Sequence, residues 1–196
     1  NLSRVDLSNK DLSGTILTYA NLSITNLDGV DLSNKDLTGV NLSRININGV
    51  NFTEVVDLSN KDFTGAILSY ANLTEVILDG VDLRNIDLTR SILIGVDLSN
   101  QDLTGTILTY ANLSGANLDG VDLSNKDLTG ANLSRVDLSN KDLSGTILNY
   151  ADLSGANLDG VDLSNQDLTG VNLSRVDLSN KDLSGTILTY ANLSIT

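Results

Sequence analysis

Evenly spaced aspartates are the side chains of this sequence whose type and spacing come closest to a chemical site. One set recurs at intervals of twenty residues: Asp62, Asp82, Asp102, Asp122, Asp142, Asp162 and Asp182. Carboxylate oxygens bind calcium, which takes roughly six to eight converging oxygen ligands. A straight column presents its carboxylates singly, so the alternative is a solvated acidic face that discourages edge-to-edge aggregation. Because like charges disfavour ionisation, we expect raised pKa values along this acidic column.

The other residue types argue against an enzyme. The 196 residues include no Cys, His, Met, Trp or Pro. Without His or Cys, neither a Ser-His-Asp nor a Cys-His catalytic set can form, and the usual zinc ligands are missing. The sequence also lacks a glycine-rich phosphate loop with its lysine. We therefore predict no catalytic residues, no cofactor and no resident metal.

Charge and hydropathy exclude two classes of partner. The formal net charge is −13, and the 12 basic residues are scattered singly. Nucleic-acid binding needs clustered Lys and Arg, so we expect no nucleic-acid partner. No apolar run approaches the roughly 18 residues of a membrane span, so we expect no membrane insertion. The chain begins at Asn1 without Met or a signal peptide, which indicates a mature, trimmed or partial sequence.

A five-residue step of leucine must position the aspartates. It runs from Leu2 to Leu193 with 39 centres, of which 36 are Leu, and it is broken once, between Phe52 and Leu58. The centres that are not Leu are Ile47, Phe52 and Phe63. This period matches neither an α-helix nor a coiled coil. A leucine-rich repeat would need paired leucines within units of about 20–29 residues.

Each five-residue unit predicts a short strand segment followed by a tight corner. Position one is small or branched, position two is Asp or Asn, position three is the central Leu, and position four is Ser, Thr or Asp. Alternation places positions one and three on one face and position two on the other. Position five is often Gly or Asn, which tolerate the positive φ that a corner requires.

Units such as VDLSN, KDLSG and ANLSG resemble those of the pentapeptide repeat family, A(D/N)LXX, over residues 1–196. The resemblance implies an all-β fold, a right-handed quadrilateral parallel β-helix with four units per coil. The 39 units would then make about 10 coils and a single-domain rod of about 47 Å, at about 4.8 Å per coil. We interpret Val55 as a one-residue bulge, and the chain as a possible segment of a longer array.

A forty-residue period is superimposed on the five-residue one. The block 5–44 returns with substitutions at 56–95, 96–135 and 136–175. Forty residues are two coils, so equivalent residues should stack about 9.6 Å apart on one face. The extra residues 45–55 should rotate this pattern by half a coil, which predicts that Tyr19 lies on the opposite face from Tyr70.

The forty-residue period carries an apolar stripe. Its residues are Ile67, Ile107, Ile147 and Ile187 at outward position two, and Tyr70, Tyr110, Tyr150 and Tyr190 at the following corner. Position two is otherwise mostly Asp or Asn, and the fold alone does not require Tyr at every second coil. The stripe therefore indicates a lateral contact surface. The alternative is a set of ordinary single apolar surface residues.

Position one holds a long polar side chain in eight units: Lys10, Lys35, Lys61, Gln101, Lys126, Lys141, Gln166 and Lys181. A buried lone ammonium would be costly. We therefore expect these side chains at corners, with the stem packed and the head group in solvent or near a carboxylate.

Two functions follow from the sequence. Residues 1–25 and 172–196 are identical, which indicates either a longer tandem array or a recent duplication. Such an array, without oxidisable Met or Cys, favours a structural rod that self-associates end to end or laterally as an extracellular or surface fibre or scaffold.

The alternative comes from the family resemblance, since some members are acidic rods that bind DNA gyrase. It is a cytoplasmic DNA-mimic module that acts on a DNA-binding protein such as DNA gyrase. A net charge of −13 along a rod of about 47 Å is about one charge per 3.6 Å, against about one per 1.7 Å in duplex DNA.

Overall fold

The computed structural model describes residues 1–32, 35, 40, 58–59, 63, 66–74 and 76–194. This part of the chain contains no helix, and its strands are reduced to single bridged residues. It accordingly has no helix long and apolar enough to cross a membrane. The predicted bulge at Val55 lies outside these residues, as does the segment that relates Tyr19 to Tyr70.

Parallel bridges between residues twenty apart define one coil of four units. They join position-two residues of successive coils, as in Asp87 with Ile107 and Asn112 with Asn132. Asn132 makes two main-chain hydrogen bonds to the preceding coil: its N–H donates to Ala111 O at 2.9 Å, and its C=O accepts from Leu113 N at 2.7 Å. The predicted strand segments shrink to this one residue because the corner takes up much of a five-residue unit. The total of about 10 coils stays a prediction.

The corner is a β-turn that closes on the central Leu. Ala111 N donates to Leu108 O at 3.0 Å, and every described position-five residue has positive φ. Positive φ at the third residue alone marks a type II turn. The prediction that position five is a corner residue covers Tyr150 as well as Gly and Asn; Tyr150 and Arg135 both have φ 61, a conformation that costs such a residue roughly 1–2 kcal/mol.

The core is a stack of central leucines flanked by small position-one side chains. Leu113, Leu133 and Leu153 are fully buried, as are Ala131 and Ala151 beside them. Full burial of each Leu contributes about 2 kcal/mol before the entropy of ordering the chain is subtracted. Inward-facing positions one and three leave positions two, four and five for the surface.

Six of the long position-one side chains bind the main chain, which corrects for them the prediction that their heads lie in solvent or near a carboxylate; they are Lys35, Gln101, Lys126, Lys141, Gln166 and Lys181. Lys141 Nζ donates to Leu118 O at 2.6 Å and to Val121 O at 3.0 Å. Lys126 and Lys181 contact the equivalent leucine carbonyls, of Leu103 and Leu158. Position one faces inward, so its side chain reaches carbonyls of the preceding coil before it reaches a surface carboxylate.

Four faces follow one another along the chain, each named here by its position-two column. The acidic face carries Asp82, Asp102, Asp122, Asp142, Asp162 and Asp182. The mixed face, which follows it, carries Ile67, Asp87, Ile107, Asp127, Ile147, Asp167 and Ile187. The amide face carries Asn72, Ile92, Asn112, Asn132, Asp152, Asn172 and Asn192. The fourth face carries Ile77, Asp97, Asn117, Asp137, Asn157 and Asp177. Two corners therefore separate the acidic face from the amide face.

Candidate interaction surfaces

The carboxylates of the acidic face are fixed by the turns that follow them. Asp102 Oδ1 accepts the N–H of Thr104 at 2.9 Å and its hydroxyl at 2.6 Å. Asp122 Oδ1 likewise accepts the N–H of Ser124 at 2.8 Å. The same hydrogen bond, donated by the position-four N–H to the position-two side chain, recurs throughout the described coils, with Asn as acceptor as well as Asp. Each side chain therefore caps its own corner.

These hydrogen bonds lower the pKa values of Asp82, Asp102, Asp122, Asp162 and Asp182, so the predicted raised pKa values are wrong for these carboxyls. Hydrogen bonds from the Thr104 hydroxyl and then from its N–H lower the pKa of Asp102. For Asp162, the N–H of Ser164 is the largest cause of the lowered pKa. Repulsion from a neighbouring carboxylate does act in the opposite direction, as Asp82 does on Asp102, but it is the weaker effect. Asp62 lies outside the described residues.

Arg84 adds an ion pair that the sequence analysis missed. Its Nε and Nη2 donate to Asp82 Oδ1 and Oδ2 at 2.9 and 2.6 Å. This hydrogen-bonded pairing lowers the pKa of Asp82 to about 2. Along the coils that the structure describes, no group of three or more acidic residues converges as a metal site would require. The acidic face is thus a ladder of ionised, outward-facing acceptors.

The mixed face places the predicted isoleucines at every second coil. Ile67, Ile107, Ile147 and Ile187 are all about half exposed. Aspartates lie between them: Asp87 is bridged to Ile67 on one side and to Ile107 on the other. The apolar stripe is therefore a row of separate isoleucines, each flanked by carboxylates one coil away.

The predicted tyrosines lie on the corner that follows the mixed face. Tyr110 is 51% exposed and Tyr190 is 86% exposed. Arg90 occupies the intervening coil, with its guanidinium 5.8 Å from the Tyr70 ring centre and 4.9 Å from that of Tyr110. Gly130 and Gly170 occupy the later intervening positions, and a Cβ at either would overlap the Tyr of the preceding coil.

An isoleucine at position two cannot accept the hydrogen bond that the position-four N–H donates to Asp or Asn in other units. Asp127, in the same column, accepts the N–H of Thr129 at 3.0 Å. Ile107 and Ile147 have no side-chain acceptor to offer the corners that follow them. Such a bond contributes about 0.5–1.5 kcal/mol. The isoleucines therefore weaken their own corners while exposing apolar surface, and the fold supplies no reason for them.

A groove follows the amide face, and the sequence analysis did not single it out. This arginine groove has a volume of about 560 Å³ and is lined by Ile94, Gly95, Ser114, Gly115, Ser134, Arg135, Ser154, Gly155, Ser174, Arg175 and Ser194. The signal for it in the sequence was the succession of units ANLSG, ANLSR, ADLSG and VNLSR twenty residues apart, which supplies Ser at position four of successive coils.

The repeat itself identifies the family. The family model "Pentapeptide repeats (8 copies)" matches residues 1–34, 20–54, 36–69, 56–85, 87–125, 127–165 and 167–194. The chain therefore belongs to the pentapeptide repeat family, as its sequence predicted. Proteins of this family form right-handed quadrilateral β-helices. A comparison with curated proteins gives no match.

Several solved structures are similar to this chain. HetL, a pentapeptide repeat protein involved in heterocyst differentiation regulation from the cyanobacterium Nostoc sp. strain PCC 7120, is 28% identical; the alignment covers 98% of this chain and 88% of HetL, with a TM-score of 0.41. Full-length QnrB1, a plasmid-mediated fluoroquinolone resistance protein, is 21% identical over 86% of this chain and 84% of its own, with a TM-score of 0.34. Rfr23 from the cyanobacterium Cyanothece 51142 is 29% identical over 72% and 90%, with a TM-score of 0.23.

Proposed function

We propose that this chain is a structural rod that associates laterally with further copies of itself through the mixed face. The observation that carries the proposal is the half-exposed isoleucine at every second coil, in a position where Asp or Asn would cap the corner. We further propose that the assembly is extracellular or at the cell surface, as the lack of oxidisable Met and Cys favours.

Burial in an interface offsets what the isoleucines cost the isolated rod. Covering apolar surface contributes about 25 cal/mol per Å², so one further buried Ile side chain compensates for the missing hydrogen bond. The tyrosines add rigid aromatic area beside each Ile, and Tyr is enriched among residues that dominate interface energies. A contact that repeats at every second coil multiplies these small terms along the rod.

Charge gives this association a recognisable salt dependence. Each copy carries a formal net charge of −13, and the aspartates between the isoleucines approach their counterparts when two mixed faces meet. Salt screens such repulsion over about 10 Å at 0.1 M. Lateral association through the mixed face should therefore strengthen as the salt concentration rises.

The test replaces the isoleucines with the residue that the fold uses elsewhere. Ile107→Asn with Ile147→Asn restores a corner acceptor, as Asn112 and Asn132 provide, and leaves the net charge unchanged. Sedimentation velocity and negative-stain imaging at high salt should show assemblies for the original chain and single rods for the variant, with no loss of thermal stability. Equal assembly by both chains would contradict the proposal. Protease treatment of intact cells, which should remove the chain, tests its location.

The ionised acidic face supports a second candidate, a cytoplasmic acidic module that occupies the nucleic-acid site of a DNA-binding protein such as DNA gyrase. Asp102, Asp122 and Asp162 of this face have lowered pKa values and stay charged at neutral pH. A gyrase supercoiling assay at rising chain concentration tests it. Inhibition that Asp102→Asn with Asp122→Asn weakens would support this function, whereas neither inhibition nor protection of the enzyme would remove it.

A further inference from the structure

The arginine groove contains serine hydroxyls that make no hydrogen bond and glycines that leave open space beside them. Among the described residues, the hydroxyls of Ser114, Ser134, Ser154 and Ser174 make no hydrogen bond, although the N–H of each binds the Asn or Asp two residues earlier. A Cβ at Gly95 or Gly115 would meet nothing within 4 Å. Successive serines therefore present one unused donor per coil along a groove that a side chain of a partner can enter.

Two arginines give this groove a positive charge, opposite to that of the acidic face. Arg135 and Arg175 lie two coils apart, about 9.6 Å at the usual strand spacing, and no carboxylate lines the groove. In the described part of the chain the ion pair belongs to Arg84 and Asp82, so neither groove arginine is neutralised. On a chain of net charge −13, such a pair of cations attracts an acidic partner.

We propose that the arginine groove receives the acidic face of a second copy of this chain. A partner must present acceptors at the spacing of the groove donors. The acidic face does so by construction, because its carboxylates and the groove serines repeat with the same coil. In such a contact, alternate carboxylates meet Arg135 and Arg175, with bidentate geometry available to each guanidinium. The carboxylates between them meet serine hydroxyls.

The position of the two surfaces determines what this contact builds. Two corners separate the acidic face from the amide face, so a rod that uses its groove on one side keeps its acidic face free on another. A contact between two different surfaces does not saturate in a pair and extends to further copies. The proposal rests on the proposed self-association, but it uses different residues and links rods into a lateral array.

Salt dependence separates the two contacts. A contact between charged surfaces weakens as salt screens it, whereas association through the mixed face should strengthen. At low salt, the original chain should therefore form assemblies that Arg135→Gln with Arg175→Gln weakens by about tenfold or more in dissociation constant, the size of effect that interfacial charge pairs produce. Asp122→Asn with Asp162→Asn should weaken them similarly, because Asn keeps the corner bond and removes only the charge.

A matched control distinguishes this contact from a change in net charge. Ser139→Asp with Ser179→Asp lowers the net charge by the same two units on the fourth face, where Asp119 and Asp159 already occupy equivalent positions. This control should assemble like the original chain in sedimentation at low salt. The proposal is overturned if the control and the arginine variant lose assembly equally, or if the original chain stays monomeric at low salt. If the isoleucine variant still assembles at high salt like the original chain, the mixed-face contact is overturned, and the low-salt result for the arginine variant decides this contact separately.

Discussion

The Tyr110 ring occupies the space beside Gly130 in which a side chain would begin. A Cβ at Gly130 would lie 2.4 Å from Tyr110 Cδ1. Asn100 fills the equivalent space above Gly120, where a Cβ would lie 2.4 Å from Asn100 Oδ1. A Tyr or Asn that fills this space thus favours Gly at the same corner of the next coil, although Arg90 follows Tyr70 at this corner. This local rule contributes to the forty-residue period, yet it accepts Asn as readily as Tyr and leaves the choice of Tyr unexplained.

Gly130→Ala should destabilise the rod more than Gly115→Ala. Both glycines have φ 64, so both substitutions carry the left-handed cost of roughly 1–2 kcal/mol. Only Gly130 also faces a ring, which must move, whereas Gly115 faces open space. Urea unfolding followed by circular dichroism should give the lower midpoint for Gly130→Ala. Equal midpoints would mean that the Tyr110 ring moves away without cost.

The five-residue step was sufficient to predict the family, the buried leucines and the corners. A central Leu such as Leu133 must be buried inside the coil, and a period of five residues fits neither an α-helix nor a coiled coil. The direction of the Asp102 pKa shift was predicted wrongly, because the spacing of the aspartates reveals only the repulsion between neighbouring carboxylates. The opposing hydrogen bond from Thr104 depends on the turn conformation.

The surroundings of Lys141 and Arg135 could not be predicted from the sequence, because they depend on contacts between coils. Whether the Lys141 ammonium meets a carboxylate or the Leu118 carbonyl depends on which way position one faces and how far the stem reaches. Arg135 becomes notable only when Ser and Gly of neighbouring coils are placed beside it. Both depend on contacts between residues about twenty apart, which no single unit reveals.

Lys141→Met should destabilise the rod, and Lys141→Gln should do so much less. Met keeps the apolar stem but leaves Leu118 O and Val121 O without the ammonium, at a cost of about 1–3 kcal/mol for a lost charged hydrogen bond. Gln already serves in this role, since Gln101 Nε2 donates to Leu78 O at 3.2 Å. Thermal unfolding of the two variants checks this. A Met variant as stable as the Gln variant would show that the carbonyls need no side-chain donor.

Tyr110→Asn with Tyr150→Asn should remove association at high salt without unfolding the rod. Asn adopts positive φ at Asn100 and Asn140, above Gly120 and Gly160, so the corners above Gly130 and Gly170 should accept it as well. The variant loses the aromatic area that the proposed mixed-face contact buries. Sedimentation velocity should show smaller species with an unchanged melting temperature. Unchanged assembly would exclude the tyrosines from the contact.

Stability should fall as the pH drops from about 4 towards 2. Carboxyls of the acidic face have lowered pKa values in the folded rod, to about 2 for Asp82, whereas an unfolded Asp titrates near 3.9. The folded state therefore binds protons less readily than the unfolded state, so its advantage is complete above the unfolded pKa and is lost as the pH falls through the folded pKa.

Asparagine at the same positions isolates this effect. Asn accepts the corner N–H without titrating, as Asn132 does from Ser134 at 2.9 Å. The triple variant Asp102→Asn, Asp122→Asn, Asp162→Asn should therefore lose less stability than the original chain between pH 4 and pH 2.5, measured as the change in urea midpoint. If repulsion within the column were the dominant effect, acid would instead stabilise the original chain by discharging it, and the two chains would diverge in the opposite sense. The measurement thus decides whether hydrogen bonds or neighbouring charges control the acidic face.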